Sequence, residues 1–373
     1  MNKEKVYTVI GLMSGTSLDG IDAALIKTDG ADYVEPIDFI TEPYDEGLRE
    51  ELRACLGKRT DSNGAVKRAT EKMTLAHADI VKKLLAKTNI KAADVDLIGF
   101  HGQTIFHDPD NRFTWQIGDG ELLACETDIN VVNDFRSADV AAGGEGAPFL
   151  PLYHRARAAK QDKPIAILNL GGVGNVTWLG AGDGDDNILA FDTGPANAMI
   201  DDFVKLRTGQ DFDEGGKLAD KGWAEDNIIG TWMDHEFFRR KPPKSLDRNV
   251  WSIDDVAHLS DEDGVATLAL FTVEAVCDAL RYMPQQPKAW YVTGGGRKNP
   301  TLMGWLANVL KIPVEPVEAL GWNGDALEAE GFAYLAVRSV NGLPLSLPQT
   351  TKVPKAVTGG VLHTAPTRTS DAA

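Results

Sequence analysis

The chain has 373 residues, 43% hydrophobic and 25% charged, so it is globular and long enough for two domains with a core each. A net charge of −17 and a sequence pI near 4.8 argue against nucleic acid and anionic membrane surfaces, which require a basic face. The three cysteines, Cys55, Cys125 and Cys277, are far apart and odd in number, which fits buried free thiols in a reducing compartment. No run approaches 18 apolar residues, and Met-Asn-Lys-Glu-Lys leads into no signal-peptide pattern, so the expected location is cytoplasmic.

In chain order, Tyr7 to Ile10 and Ile21 to Ile26 are apolar runs around a turn-forming segment with Gly11, Ser14, Gly15, Ser17, Asp19 and Gly20. That is a β-hairpin with a glycine-rich tip. Its free N–H groups and hydroxyls suit phosphate oxygens, but an ordinary tight turn has the same composition. Two familiar phosphate loops are excluded. Gly57-Lys58-Arg59 and Gly216-Lys217-Leu218 both fail the G-x-x-x-x-G-K-[ST] pattern, and no G-x-G-x-x-G opens a helix after the first strand.

Leu48, Leu52 and Leu56 form a helical stripe, and residues 66 to 88 a longer helix with Val66, Met73, Ala76, Ile80, Leu84 and Leu85 on one side. Asp96 to Phe100 is an expected strand ending in the polar cluster His101 to Thr104, the kind of strand end at which open α/β sheets bind ligands. Trp115 to Gly120 and Asn130 to Phe135 are further strands, the second ending in Asp134 and Arg136. A Gly/Ala/Pro segment, Ala141 to Pro151, is an expected hinge or boundary.

The opening pattern then recurs: Ile165 to Leu170, a turn at Gly171 to Asn175, and Val176 to Leu179. Such a duplication suggests two similar domains facing each other. Ile188 to Phe191 is a strand ending in Asp192-Thr193-Gly194-Pro195, with a helix following from Ala198 to Arg207. Asp192 is placed either as a general base or as the cap of that helix. Lys241 to Ser245 is a locally basic loop, 262 to 282 a helix, and Ala289 to Thr293 a strand running into Gly294, Gly295 and Gly296. Pro300 suits the first turn of a helix to Leu310, whose N–H groups would admit a flat or anionic ligand group, although a plain strand-to-helix turn reads the same. Asn323-Gly324-Asp325 opens a last long helix to Val340, and the final ten residues are expected to be disordered.

At these motifs the sequence resembles the anhydro-N-acetylmuramic acid kinases of the actin/hexokinase/Hsp70-like superfamily. The matching segments are Gly11 to Asp22, His101 to Thr104, Gln116 to Asp119, Asp134 to Arg136, Asn169 to Gly172, Phe191 to Pro195, Gly294 to Gly296 and Gly324 to Ala329. The chain departs at Ala196, where the family usually has Gly, and at 244–249, where Lys-Ser-Thr-Gly-Arg-Glu is replaced by Lys-Ser-Leu-Asp-Arg-Asn. The superfamily's Asp-x-Gly-Thr is here Met13-Ser14-Gly15-Thr16, which removes a metal contact for which Asp19 is a weak substitute.

The resemblance implies an α/β fold of two actin-like (RNase H-like) domains around a central cleft, each a mixed sheet flanked by helices. Residues 1–135, completed by about 345–365, would form the first domain and 136–344 the second. It implies ATP-dependent opening of 1,6-anhydro-N-acetylmuramic acid by water with phosphorylation of O6, giving N-acetylmuramic acid 6-phosphate and ADP in peptidoglycan recycling. Asp192 would be the base. ATP would be held by Gly15, Thr16, Ser17, Leu18, Asp19, Gly20, Ile21 and Asp22, with Gly171, Gly172, Gly294, Gly295 and Gly296. His101, Arg136 and Glu328 would take the sugar and its lactyl carboxylate. Mg²⁺ would be held through the ATP phosphates and waters, with no protein ligand assigned, and relatives imply a homodimer with neither nucleic-acid nor membrane partners. The competing readings are another sugar kinase or phosphoanhydride hydrolase of the same superfamily, and a non-catalytic nucleotide sensor; a sensor needs no base, so Asp192 beside His101 and Arg136 argues against it.

Overall fold

The computed structural model describes residues 5–182, 184–248 and 250–366. Of the terminal segment expected to be disordered, residues 367–373 lie outside the described residues. Residues up to Lys160 and from Ala326 onward form one compact unit, and Gln161–Asp325 form the other. This division differs from the expected boundaries, because 136–160 and 326–344 both sit with the first unit.

In the first unit, β1 (Tyr7–Ser14), β2 (Gly20–Thr28) and β3 (Val34–Pro43) form an antiparallel meander. β4 (Leu97–Asp108) joins β1 in parallel, β5 (Phe113–Ile117) folds back on β4, and β6 (Val131–Asn133) adds in parallel. The strand Val361–His363 closes the edge antiparallel to β6. The core order is therefore β3-β2-β1-β4-β6. β4 is longer than expected: it pairs with β1 through Phe100 and, past a register shift, at Gln103, where pairing with β5 begins, and its backbone turns at Gly102 (φ 72°). The polar cluster at His101 thus lies within a bent strand rather than beyond its end.

The helix Leu327–Val340 is laid on this sheet by two paired glycines. Gly11 and Gly99 are opposite each other on β1 and β4. A methyl group on Gly11 would come within 1.7 Å of the Ala329 carbonyl oxygen, and one on Gly99 within 2.1 Å of that of Phe332. The helix is tied further by a buried cluster in which Arg157 donates to Glu330 at 2.9 Å and Tyr153 also donates to Glu330. Tyr153 and Arg157 belong to the helix Pro151–Arg157, which is why the chain after Asn133 stays with the first unit.

The second unit repeats the pattern. β7 (Ile165–Leu170), β8 (Val173–Leu179) and β9 (Ile188–Pro195) are antiparallel, and β10 (Trp290–Thr293) and β11 (Val314–Pro316) add in parallel beside β7. Its order, β9-β8-β7-β10-β11, is that of the first unit strand for strand. The helices Asp261–Ala279 and Pro300–Leu310 contribute Val273, Val276, Leu302 and Leu306 to the core with Leu168 and Trp290. The cysteines are all free, but Cys125 is exposed and Cys277 partly so, so only Cys55 is a buried thiol.

Candidate active site

In the first unit, the turn between β1 and β2 is closed by the Leu18 amide donating to the Gly15 carbonyl at 3.1 Å. Leu18 takes the left-handed conformation (φ 59°) and buries its side chain, as Ile21 does, so both can offer a ligand only backbone. Thr16, Ser17 and Asp19 are exposed and Asp22 is half-buried. Arg49 braces the turn, donating from Nε to the Leu18 carbonyl at 3.1 Å. Met13, which stands at the superfamily's metal-contacting aspartate, is buried, as is Ser14, which donates to Gln103 at 2.6 Å and accepts from Tyr44 at 2.8 Å.

The glycines divide into two groups. A methyl on Gly20 would strike the Glu42 carbonyl oxygen at 2.1 Å, so packing alone requires that glycine. Gly15 has no left-handed φ, and a methyl there would meet nothing nearer than Ser17 Oγ at 3.6 Å. Neither a left-handed turn nor close packing therefore requires glycine at this position.

His101, Arg136 and Glu328 come together. His101 is buried against the Phe332 ring, with centroids 4.5 Å apart. Its Nδ1 donates to the Gly102 carbonyl at 2.8 Å, and its Nε2 accepts from Arg136 Nε at 3.0 Å. Burial first, and then the Arg136 charge, hold His101 well below its usual range, so the ring is neutral and acts as an acceptor. Arg136 also donates from Nη1 to the Gly146 carbonyl at 2.6 Å. Nη2 has no hydrogen-bond partner among the described residues. Desolvation lowers Arg136 to about 10, opposed by the charges of Glu328 and Asp139. Glu328, in the first turn of the Leu327–Val340 helix, is reached by solvent, yet surrounding protein pushes its carboxyl up; Arg136 opposes this and Asp22 reinforces it. His101 therefore orients Arg136.

In the second unit, the Gly171 and Gly172 carbonyls accept the amides of Asn197 (2.9 Å), Ala196 (3.2 Å) and Ala198 (3.3 Å). A methyl on Gly171 or Gly172 would meet nothing nearer than 3.6 Å and 3.4 Å, the same open room as at Gly15. In the other glycine run, Gly295 is also open, with Asn197 Nδ2 nearest at 3.5 Å. Gly294 is held at φ 76° with Asn169 Oδ1 only 2.4 Å from the methyl position, and Gly296 is pressed on Leu170. A 3₁₀ turn, Gly295–Lys298, separates this run from the helix Pro300–Leu310, whose first turn is capped by Asn299 accepting from Leu302 at 3.0 Å. One of the free N–H groups of that helix start is thus taken by the Asn299 side chain. Arg297, barely exposed, locks the turn by donating to Gly294 at 2.9 Å, Glu318 at 3.0 Å and Asp325 at 3.0 Å.

Asp192 is not a helix cap. The following helix, Asn197–Thr208, has Ala196 at its cap position with no side-chain bond. Asp192 lies inside β9 opposite Asn175, half-buried. Its Oδ2 accepts from the Leu246 amide at 2.8 Å, and its own amide donates to the Lys244 carbonyl at 2.9 Å. Strand spacing alone does not bring the 244–246 loop to Asp192, and no periodicity in the sequence signals it. Among the described residues no group of three or more His, Cys, Asp or Glu is arranged to hold a metal ion.

Two units with one strand order, each opening on a glycine-tipped hairpin, define an actin-like fold. The family model for anhydro-N-acetylmuramic acid kinase matches residues 7–365. A protein of that name from Rhizorhabdus wittichii is 53% identical over 359 residues, covering 95% of this chain and 98% of its own. Another, from Zymomonas mobilis, is 51% identical over 362 residues, covering 95% and 99%. Among solved structures, (R)-2-hydroxyglutaryl-CoA dehydratase component A of Acidaminococcus fermentans aligns with 89% of this chain and 99% of its own at 13% identity and TM-score 0.45. The chain belongs to the anhydro-N-acetylmuramic acid kinase family and is a phosphotransferase acting on a sugar hydroxyl.

Proposed function

We propose that the protein uses ATP and water to convert 1,6-anhydro-N-acetylmuramic acid to N-acetylmuramic acid 6-phosphate and ADP, with Asp192 as the base. The observation that carries this reading is the fixing of Asp192 by the Lys244 carbonyl and the Leu246 amide, with no helix for it to cap. Asp192 takes a proton from water as the water's oxygen attacks C1, and the C1–O6 bond breaks toward O6. O6 then accepts the γ-phosphoryl group, a transfer that depends on positioning and charge neutralisation. Arg136 takes the lactyl carboxylate through its uncommitted Nη2, oriented by His101, and Glu328 accepts from a sugar hydroxyl. The open glycines Gly15, Gly171, Gly172 and Gly295 leave room for nucleotide phosphates or ribose, and the exposed hydroxyls of Thr16 and Ser17 are available as donors.

These residues fit ATP, whereas the described carboxylates form no cage for a metal. Mg²⁺ carried on the phosphates would screen their charge, and Asp19 and Asp22 are the acidic side chains of the first hairpin that would receive its waters. No described helix is long and apolar enough to cross a membrane. A cytoplasmic homodimer is the setting that the family implies, and light scattering on the purified chain tests the dimer.

The test of the reaction is product analysis with ATP, Mg²⁺ and the anhydro sugar in ¹⁸O-labelled water. Label at O1 of a 6-phosphorylated product supports the coupled reaction. Phosphorylation of an unopened sugar, or ADP release without sugar phosphate, supports another sugar kinase or a phosphoanhydride hydrolase.

A further inference from the structure

Lys244 is almost fully buried, with its ammonium 4.2 Å from the Phe237 ring centre, 4.9 Å from that of Tyr282 and 5.8 Å from that of Phe238. It donates to the Phe237 carbonyl at 3.0 Å. The box is assembled from distant pieces. Phe237 and Phe238 lie on the short helix Glu236–Arg239, and Tyr282 follows the long helix Asp261–Ala279. Tyr282 is itself fixed, donating to the Phe238 carbonyl at 2.5 Å. Burying an ammonium is unfavourable unless it is paired, and cation–π contact with desolvated rings offsets part of that cost. The charged groups around it are Asp278, Arg281, Arg240 and Asp192, and desolvation brings the amine down to about 8.

What this anchor holds is the backbone at Asp192. The Lys244 carbonyl receives the Asp192 amide at 2.9 Å, and two residues on, the Leu246 amide donates to Asp192 Oδ2 at 2.8 Å. We infer that Lys244 is a positioning residue for the reaction: its ammonium, locked in the aromatic box, fixes the 244–246 backbone and through it the direction of the Asp192 carboxylate. The inference rests on Asp192 being the base. The contacts to Asp192 come from main-chain atoms of Lys244 and Leu246, which a side-chain substitution at 246 leaves in place.

The test is a double-mutant cycle of Lys244→Met and Asp192→Asn, reading kcat, the KM for ATP and thermal melting. Methionine fills the lysine's volume among the rings without charge or donor, so melting is expected to stay near wild type. Lys244→Met should lower kcat by about 10- to 100-fold, the scale of an ångström-level misplacement, with the KM for ATP within about twofold. In the Asp192→Asn background the same change should lower kcat by less than about threefold, because the group it positions is already gone. Full kcat in Lys244→Met, or a loss that multiplies undiminished with that of Asp192→Asn, overturns the inference. Asp192→Asn retaining more than about a tenth of wild-type turnover instead overturns the role of Asp192 itself. If Lys244→Met melts early, Lys244→Gln, which keeps a donor for the Phe237 carbonyl, takes its place in the cycle; loss of folding in both would make Lys244 a folding residue and overturn the positioning role.

Discussion

Arg136→Ala separates sugar recognition from nucleotide recognition. The guanidinium sits on the Phe149 and Phe332 rings, 5.3 and 5.8 Å from their centres, and desolvation lowers it to about 10, which marks the charged form as poorly solvated there. The protein tolerates it with two neutral acceptors, His101 and the Gly146 carbonyl, and no hydrogen-bonded carboxylate. A bound lactyl carboxylate would supply the missing counter-charge, and a charge-assisted pair of this kind contributes about 1.5–3 kcal/mol. Arg136→Ala should therefore raise the KM for the anhydro sugar by about 10- to 150-fold and change the KM for ATP by less than about twofold. Arg136→Lys should not restore it, because an ammonium cannot hold the His101 and Gly146 acceptors and still present a planar fork. His101→Ala should shift the same parameter in the same direction by a smaller factor. ADP release followed while each substrate is varied in turn reads all three variants. Equal rises in both KM values would refute the assignment and leave Arg136 as a structural tie or a nucleotide ligand.

Gly15→Val should abolish measurable ATP binding in calorimetry while leaving the melting temperature near wild type, since open space surrounds that position and its φ is not left-handed. Unchanged affinity would remove the first turn from the ATP site. Gly11→Ala is the opposite case: its methyl would lie 1.7 Å from the Ala329 carbonyl oxygen, so a loss of about 3 kcal/mol or more is expected, a fall of about 6–12 °C in melting temperature. Acid should destabilise the fold through His77, which burial holds at about 4 with its Nε2 unpaired among the described residues. The unfolded chain binds the proton near pH 6.5 and the folded one only near pH 4, so stability falls as pH drops between those values. His77→Leu should reduce that slope by about one proton's worth in denaturant titrations run across the window; an unchanged slope would show that His77 is not buried neutral.

Much of this architecture was legible because it is local. The glycine-tipped hairpins, the 66–88 helix, seen at Ala65–Thr88, and the helix from Pro300 to Leu310 all follow from periodicity and turn residues. The parts that were not legible depend on long-range packing. His101 reads as a residue beyond a strand end, whereas β4 continues through it because a second partner, β5, pairs along it from Gln103, past the turn at Gly102. Gly15 and Gly20 look alike in sequence; only the Glu42 carbonyl across β3 makes one of them a packing requirement. The extent of the first unit was missed because Glu330, Tyr153 and Arg157 meet across the fold, and charge pairs of that separation leave no periodic trace. Lys244 reads as a basic loop residue because the rings that bury it come from 237, 238 and 282.

The central claim is that Asp192 is the base, and Asp192→Asn tests it most directly. An amide oxygen can still accept from the Leu246 amide, so the loop contact and the melting temperature should persist. An amide cannot take a proton from water, so kcat should fall by at least about 10²-fold, with ATP affinity in calorimetry unchanged. A variant that keeps more than about a tenth of wild-type turnover would contradict the account.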